Sequence, residues 1–397
     1  MKGTVKPAAS KLTLTLSSLR AASSAAYREL GCTDTLREIL HQPDTWRATS
    51  QRVRGIEDGA VLANVLEPLP RYVVLTGSGS SLYVGECLAP VLQEQLGVPC
   101  RAVGAGTILS QRVAVLPRGS GLLISVARSG DSPESIGVLD TVLAEAPEWR
   151  HLVVTCNAEG RLATRYRGEQ RVQVLLLEAD TNDRSLVMTS SFTNLLLAAG
   201  GLLREGRDAT SVAALGGTLF ERYGDILAEW GARNHDAAVY LGSGANWGAA
   251  REAALKMLEM SAGAVRVMTE TSLGLRHGPM AWFNRDSLLV SFLSGHAEVR
   301  GYETDLLQEL TRKQLARARI VVGEHVDPEW VGRDGIGLDL PGLYGLPPVH
   351  QAMIHAVVGQ LLAFFRCMEE GQRPDAPSPG VLTRVVEAFS LHGDPPP

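Results

Sequence analysis

Three ionisable side chains with helical spacing, followed by a histidine, are the residues of this sequence best suited to chemistry. Glu252, Lys256 and Glu259 fall at positions i, i+4 and i+7 of one helical pattern, so they share one helix face. His277 follows in a turn restricted by the glycine and proline after it. A carboxylate and a histidine suit proton transfer on a small molecule. The plainer alternatives stay open, because a Glu–Lys pair is usually a solvated helix face and a histidine beside Gly-Pro is often structural.

Two loops rich in serine and glycine predict a binding site for an anion. Residues 77–81 read Gly-Ser-Gly-Ser-Ser after one apolar run, and residues 128–132 read Arg-Ser-Gly-Asp-Ser after another. Hydroxyls, the amides of a helix N-terminus and a guanidinium together suit a phosphate dianion. The alternative is a pair of ordinary serine-rich turns with capped helices, but ligands gather at the carboxyl ends of parallel strands. We therefore expect the phosphate to be bound by Ser78, Gly79, Ser80, Ser81, Arg128, Ser129, Gly130 and Ser132.

Short apolar runs alternate with helical patterns along most of the chain, which is typical of an α/β fold with parallel sheets covered on both faces. The predicted strands cover residues 72–76, 121–126, 151–155, 172–177, 237–241, 264–268, 287–293 and 319–322. The predicted helices include residues 133–145, 185–203, 246–262, 300–314 and 349–370, and one that follows residue 81 and ends near 95. The polar stretch 181–193 has two interpretations: it lines the same cleft as the serine loops, or it is a capped helix start.

The pattern repeats with a domain-sized period. Gly-Ser-Gly begins at residue 77 and again at residue 242, an offset of 242 − 77 = 165 residues. The second repeat lacks a serine cluster at 294–298, so we expect the first repeat to bind phosphate and the second to supply the carboxylate and the histidine. We predict an N-terminal helical arm (1–54), a first domain (55–215), a second domain (216–372) and a C-terminal tail (373–397). The tail can close over a site or pack on the surface, and surface packing is the default interpretation.

Composition and charge exclude several classes of function. The 397 residues carry a formal net charge of −5, which does not favour nucleic acid or an anionic membrane as a partner. The five cysteines are odd in number and form no C-x-x-C, so a disulfide framework or zinc knuckle is not expected and a cytoplasmic location fits best. Histidines lack metal-ligand spacing, so we expect no metal. A nicotinamide dehydrogenase is disfavoured because the 77–82 loop lacks the third glycine of the dinucleotide fingerprint.

These motifs resemble the sugar isomerase (SIS) domain family, with two tandem SIS domains over about residues 35–391. The resemblance rests on the loops at 77–81 and 128–132, on Ala-Leu-Lys-Met-Leu-Glu at 254–259 and on Arg-His-Gly-Pro at 276–279. The 181–193 stretch and the Ser-Pro-rich ending are similar more narrowly to AgaS-type enzymes. The resemblance implies two three-layer sandwiches, each a flavodoxin-like or Rossmann-like parallel sheet flanked by helices. It also implies a homodimer or larger homo-oligomer and no organic cofactor.

The resemblance further implies an isomerase or deaminase acting on a hexose 6-phosphate, which would turn galactosamine 6-phosphate into tagatose 6-phosphate and ammonia. Plain tagatose-6-phosphate ketose/aldose isomerisation is the alternative within the enzyme class, and a non-catalytic sugar-phosphate sensor is the alternative outside it. Glu259 resembles the family's carboxylate base, with Glu252 as its rival, and His277 resembles a ring-opening histidine that reaches a neighbouring subunit's site. Lys256 as a Schiff-base nucleophile is less well supported than Lys256 as a salt-bridge partner of Glu252. The tail departs from glucosamine-6-phosphate synthase relatives because it carries no lysine.

Overall fold

Two five-stranded parallel sheets form the centre of the protein in a computed structural model that describes residues 14–203, 207–387 and 389–392. The first sheet has the order β2-β1-β3-β4-β5, and its strands are β1 (Tyr72–Gly77), β2 (Cys100–Gly104), β3 (Gly121–Ala127), β4 (Trp149–Thr155) and β5 (Val172–Leu176). The second has the order β10-β9-β8-β6-β7, and its strands are β6 (Ala237–Leu241), β7 (Arg266–Glu270), β8 (Ser287–Phe292), β9 (Ala318–Gly323) and β10 (Ile336–Asp339). When the second sheet is taken from its other edge, its order is β7-β6-β8-β9-β10, so the strands of both repeats have the same spatial order. Every adjacent pair is parallel, so the predicted α/β fold with two parallel sheets is confirmed.

Helices cover the sheets and precede the first of them. The N-terminal helices are α1 (Leu16–Arg20), α2 (Ser24–Leu30), α3 (Thr33–Leu40), α4 (Gln42–Arg54) and α5 (Ile56–Asn64). Those of the first repeat are α6 (Ser80–Leu96), α7 (Ala105–Val115), α8 (Pro133–Glu145), α9 (Arg161–Thr164) and α10 (Ser190–Gly200), and α11 (Thr210–Ala232) leads to the second. The second repeat has α12 (Ala245–Met260), α13 (Ser272–Leu275), α14 (Ala297–Arg312), α15 (Pro328–Val331) and α16 (Pro348–Glu369). Short 3₁₀ turns lie at Ala179–Thr181, Pro279–Trp282 and Leu343–Gly345. The outermost parts of the predicted arm and tail, residues 1–13 and 393–397, lie outside the described residues.

Two edge strands and one helix start differ from the sequence-based expectation. The strands β2 and β10 lie at sheet edges and include several half-buried residues, so neither forms the continuous apolar run by which a buried strand is recognised. The helix expected from residue 185 begins at Ser190 instead. The Asp183 carboxylate accepts hydrogen bonds from the backbone N–H groups of Thr189, Ser190 and Ser191, and it ends the preceding loop there.

The two repeats meet through their first helices. Helix α6 of the first repeat packs against α12 of the second, and α16 packs against both α12 and α11. A Cβ atom on Gly248 would lie 2.6 Å from backbone atoms of Tyr83 and Cys87, so the close approach of α12 to α6 requires glycine there. As a consequence, the C-terminal half of α12 reaches the loops at the carboxyl end of the first sheet.

Helix α16 is the core helix of the molecule. It is long and apolar enough to cross a membrane by length and composition, but 94% of its most apolar 18-residue window is buried within the protein. Its apolar side chains pack among the helices between the two sheets. The apolar composition therefore reflects an interior position in the protein.

The N-terminal helices are tied to the body by buried polar contacts. Trp46 of α4 is fully buried, and its indole Nε1 donates to the hydroxyl of Thr193 on α10 at 2.9 Å. The Thr49 hydroxyl donates to the Asn194 side chain at 2.8 Å, and both residues are buried. These contacts place α4 beside α10.

Candidate functional site

A cavity of about 210 Å³ lies where the carboxyl ends of β1 and β3 meet the C-terminal half of α12. Of the residues that the sequence analysis selected, it brings together Ser78, Gly79, Ser80, Ser81, Arg128, Ser129, Ser132 and Glu259. Gly130 lies beside the cavity but not on its wall, with a φ of 71° that a glycine adopts freely. His277 does not line it either. The rest of the wall comes from Val126, Ala127, Ser135, Leu186, Val187, Met188, Leu255, Lys256, Leu382, Thr383, Arg384 and Val386.

The first serine loop turns sharply into α6. Gly79 has φ 55° and ψ −129°, a conformation that side-chain-bearing residues rarely adopt, and Gly244 repeats it in the second sheet with φ 59° and ψ −128°. The turn puts Ser80 and Ser81 in the first turn of α6, where both are buried beside the cavity. The positive end of the helix dipole thus points towards the place where an anion would be bound.

Arg128 lines the cavity and joins two of its walls. Its Nη1 donates to the carbonyl of Leu186 at 2.9 Å, and its Nη2 donates to the carbonyl of Arg384 at 2.9 Å. The side chain is only 7% exposed, and this burial lowers the pKa of its guanidinium. Arg128 therefore contributes a positive charge to the cavity while it holds the 185–186 segment and the tail in place.

Lys256 lies between two carboxylates on α12. Its Nζ is 2.5 Å from Glu259 Oε2 and 3.4 Å from Glu252 Oε1. The side chain is 1% exposed. Burial alone would lower the pKa of its ammonium group, but the two carboxylates outweigh burial and raise that pKa. Lys256 is therefore protonated at neutral pH.

The two carboxylates occupy different environments. Glu252 is fully buried and does not line the cavity, and burial raises its pKa to about 7 in spite of the neighbouring ammonium. The side chain of Glu259 is 21% exposed and lies on the cavity wall. Of the two candidate bases, Glu259 alone is in a position to touch a bound molecule.

His277 lies at the surface of the second repeat. It follows α13 next to the edge strand β7, and its side chain is exposed. Its backbone N–H donates to the carbonyl of Gly274 at 2.9 Å, so the turn is ordered although the imidazole faces outwards. Within the described part of this chain, the histidine and Glu259 are not brought together at the cavity.

The C-terminal tail forms part of the cavity wall, so the surface-packing interpretation is wrong for residues 382–386. The Arg384 guanidinium donates to Asn182 Oδ1 at 2.6 Å, and the Ser378 hydroxyl donates to the carbonyl of Glu259 at 3.0 Å. Sequence analysis missed Arg384 because it looked for a lysine. A signal was available: a basic residue stands between apolar Leu382 and Val386 at the end of a proline-rich segment.

Leu186, Val187 and Met188 form another part of the wall, although none of the three was selected individually as a site residue. This segment was expected to be helical, but it is a loop before α10. Both interpretations left open for the 181–193 stretch apply in part: residues 186–188 line the cavity, and the Asp183 carboxylate accepts hydrogen bonds at the start of α10.

The second repeat has a matching cavity of about 240 Å³, lined in part by Ser243, Ser294, His296 and Gln351. Its loop amides already have partners inside the protein. The N–H of Ser294 donates to Glu303 Oε2 at 2.8 Å, and the N–H of Gly295 donates to the Gln351 side chain at 3.0 Å. With these N–H groups already bonded, the loop has fewer donors left for an anion than the serine loops of the first repeat. The asymmetry expected between the repeats therefore has a physical basis.

The positive charges on the wall of the first cavity exceed the negative ones. Arg128, Lys256 and Arg384 line it together with a single carboxylate, Glu259. Among residues 14–203, 207–387 and 389–392, no group of three or more His, Cys, Asp or Glu side chains is arranged to hold a metal ion. The arrangement suits an anionic ligand that carries an acidic C–H within reach of Glu259.

Comparison with known proteins gives full-length relatives. The D-galactosamine-6-phosphate deaminase AgaS of Escherichia coli is 33% identical over 370 residues, which cover 90% of this chain and 95% of the relative. A Streptomyces coelicolor protein that bears the same name provisionally is 37% identical over 382 residues, again covering 90% of this chain and 95% of the relative. The solved structure of tagatose-6-phosphate ketose/aldose isomerase from Escherichia coli has a TM-score of 0.83 at 30% identity, and the match covers 94% of this chain and 99% of that one. No protein-family model matches this chain.

Proposed function

Because this chain belongs to the AgaS family of SIS-domain sugar-phosphate isomerases and deaminases, we propose that it converts galactosamine 6-phosphate and water into tagatose 6-phosphate and ammonia. The observation that carries the proposal is the position of Glu259. Its carboxylate lies on the wall of the same cavity as the serine loops, held 2.5 Å from a buried ammonium group. A base and an anion site in one cavity are what an aldose–ketose rearrangement of a sugar phosphate needs.

The phosphate is held at the serine-rich end of the cavity. The hydroxyls of Ser80, Ser129 and Ser132, the N-terminus of α6 and the charge of Arg128 stabilise the dianion. Binding the phosphate fixes the other end of the open sugar chain against Glu259. Arg384 of the tail adds a further positive charge to this cavity.

Glu259 is the proposed base for the rearrangement. It removes the proton from C2 of the open-chain amino sugar, which gives an enolamine, and a proton delivered to C1 then gives a ketimine. Water adds to the ketimine carbon, the carbon–nitrogen bond breaks, and ammonia leaves with the nitrogen lone pair and the transferred protons. A positioned base of this kind contributes about 10²–10⁴-fold to the rate.

Lys256 and Glu252 support the base without replacing it. A protonated Lys256 has no lone pair with which to form a Schiff base, and its ammonium holds Glu259 by a short ion pair. Glu252 shares the same ammonium from a fully buried position and does not reach the cavity. We therefore assign the role of base to Glu259.

A second candidate function is favoured by one comparison. The solved Escherichia coli structure that this chain resembles is a tagatose-6-phosphate ketose/aldose isomerase. The same base would then act on a 2-hydroxy sugar through an enediol, without loss of ammonia. The same residues of the cavity wall would serve both reactions, so the first experiment measures both activities.

His277 enters the proposal through a second subunit. Because its imidazole is exposed and absent from the cavity of its own chain, we propose a homodimer in which it opens the sugar ring at the partner's cavity. Mixing refolded E259Q and H277N chains would then restore about one quarter of the wild-type activity, because half of the dimers are mixed and each has one intact site. A mixture that stays inactive would contradict a shared site.

We also propose a cytoplasmic location, since all five cysteines are free and buried.

The first experiment measures ammonia release from galactosamine 6-phosphate by the purified protein and by E259Q. We expect ammonia from the wild type and a loss of about 10²–10⁴-fold in kcat for the variant, because glutamine keeps the shape but not the basicity of the side chain. Interconversion of tagatose 6-phosphate and galactose 6-phosphate without ammonia would favour the isomerase. Tight binding with neither activity would refute both reactions and favour a sensor.

A further inference from the structure

The N-terminal helix α3 supplies a buried carboxylate to the loop that forms one wall of the cavity. We propose that Glu38 is a positioning residue for substrate binding: it holds the 182–188 loop in the conformation that orients Arg128 and the tail. The inference rests on the proposed function for its turnover readout, but binding of a phosphate ligand tests it independently. It also assigns a role to the helical arm, which sequence reasoning left open.

Glu38 is fixed to the start of this loop by several hydrogen bonds. Its Oε1 accepts the backbone N–H of Arg184 at 2.6 Å. Its Oε2 accepts the hydroxyl of Ser185 at 2.5 Å and the backbone N–H of Ser185 at 3.3 Å. The side chain is 1% exposed, so water does not compete for these bonds.

Three sets of contacts connect this loop to the cavity. The carbonyls of Ser185 and Leu186 accept hydrogen bonds from Arg128 Nη1 at 3.4 and 2.9 Å. Asn182 Oδ1 accepts the Arg384 guanidinium at 2.6 Å. The side chains of residues 186–188 line the cavity directly. A shift of the loop would therefore move a wall, a positive charge and the tail together.

The tail and α3 are joined on the far side of the same loop. The backbone N–H and the hydroxyl of Thr35, one turn before Glu38, both donate to Asp375 Oδ1 at 2.8 Å. The backbone carbonyl of Asp375 accepts the N–H of Leu186 at 3.0 Å. Helix α3, the loop and the start of the tail thus form one hydrogen-bonded unit around the cavity.

A carboxylate is a costly choice for this position if its role is only to fill space. Burial and the nearby Asp183 carboxylate raise the pKa of Glu38 to about 7. An apolar side chain would fill the space without that cost, but it would leave the N–H groups of Arg184 and Ser185 without an acceptor. The arrangement is therefore suited to fixing the loop geometry rather than to stabilising the fold.

The test compares E38Q with T49V, a control on the same N-terminal arm. Among the described residues, the Thr49 hydroxyl donates a buried hydrogen bond to Asn194 and none to the 182–188 loop, so T49V removes a contact of the arm without removing a hydrogen bond to the loop. KM and kcat are measured with galactosamine 6-phosphate, and dissociation constants are measured by calorimetry with inorganic phosphate and with galactosamine 6-phosphate. S185A, which removes one of the Glu38 bonds, serves as a second variant if E38Q does not fold.

We expect E38Q to raise KM and both dissociation constants about tenfold with a smaller change in kcat, because Glu259 and its ammonium partner are untouched. T49V should lower thermal stability but leave KM and both constants within about twofold of wild type. S185A should shift the constants in the same direction as E38Q, by less.

Two outcomes would overturn the inference. One is E38Q, or S185A where E38Q does not fold, with wild-type dissociation constants and only a lower melting temperature. The other is T49V with the same rise in KM as E38Q, which would make the effect a general consequence of loosening the arm. If the wild type binds the ligands but releases no ammonia, the proposed reaction fails, while the binding constants still decide the role of Glu38.

Discussion

Lys256→Met tests whether the buried ammonium group is what makes two adjacent carboxylates compatible with the fold. Methionine has a similar length and no charge, so the variant removes the cation and keeps most of the packing. Lys256 is 1% exposed and lies within ion-pair distance of both Glu252 and Glu259. Glu252 would be left fully buried without a cation.

The size of the effect follows from these positions. Removing one partner of a buried ion pair costs about 3–5 kcal/mol, because the other charge stays buried and uncompensated. The cost should be largest at alkaline pH and shrink towards pH 5. Burial already raises the pKa of Glu252 to about 7 with the lysine present, and without the lysine the carboxyl takes up a proton still more readily. The matched control is K313M, because Lys313 is half exposed and pairs with Glu309 at 2.7 Å on the surface of α14. Because that pair is exposed to solvent, its loss should destabilise the protein far less than the loss of the buried ammonium group.

The assay is urea unfolding at pH 5 and pH 8, followed by tryptophan fluorescence and by circular dichroism to check that one transition is observed. The double variant E252Q/K256M should recover much of the stability lost in K256M, because it removes the stranded charge. If K256M were no less stable than K313M, or if the double variant recovered nothing, the electrostatic reasoning about this triad would be refuted.

Two further predictions concern groups outside the triad. The melting temperature of E303Q, compared with that of the wild type, should rise as the pH increases from 5 to 8. Burial raises the pKa of Glu303 to about 7. The neutral carboxyl of the wild type therefore contributes its full stability below the unfolded pKa, and this stability is lost as the pH rises through about 7. A difference in melting temperature that does not vary with pH would contradict this. R384A should raise the KM for galactosamine 6-phosphate about tenfold, because it removes a positive charge from the cavity wall. R373A, which removes a tail arginine that donates to the carbonyl of Arg28 away from the cavity, should leave KM unchanged; an equal effect of both variants would show that only tail packing matters.

The sequence was sufficient for the repeated α/β fold because buried parallel strands must be apolar on both faces. The strands of residues 121–127 and 287–292 are fully buried and mostly apolar, and their predicted bounds were right to within a residue. The edge strands β2 and β10 were missed, since an edge strand is only partly covered and need not be apolar throughout. The 165-residue offset between the two Gly-Ser-Gly turns also indicated two similar units, and the two turns share one backbone conformation.

Local motifs likewise determined most of the candidate site. Strand-end loops on neighbouring strands of a parallel sheet must meet at one edge, so the two serine loops could be placed together from their positions alone. The spacing of Glu252, Lys256 and Glu259 put them on one helix face. Spacing could not say which carboxylate faces the cavity. That was decided by the crossing of α12 over α6, which buries Glu252 and leaves Glu259 on the wall.

Only the tertiary structure decided which distant segments form the cavity wall and which hold that wall in place. Glu38, the 182–188 loop and Arg384 come from three parts of the chain, and their hydrogen bonds join residues separated by about 150 to 200 positions in the sequence. Such contacts depend on how helices and tail pack against each other, and no local pattern encodes that packing. The sequence by itself determined the fold and the chemistry of the loops and of α12, because these follow from periodicity and residue type. The closure of the cavity by the tail and the anchoring of the 182–188 loop by the N-terminal arm follow from packing, so both were visible only in three dimensions.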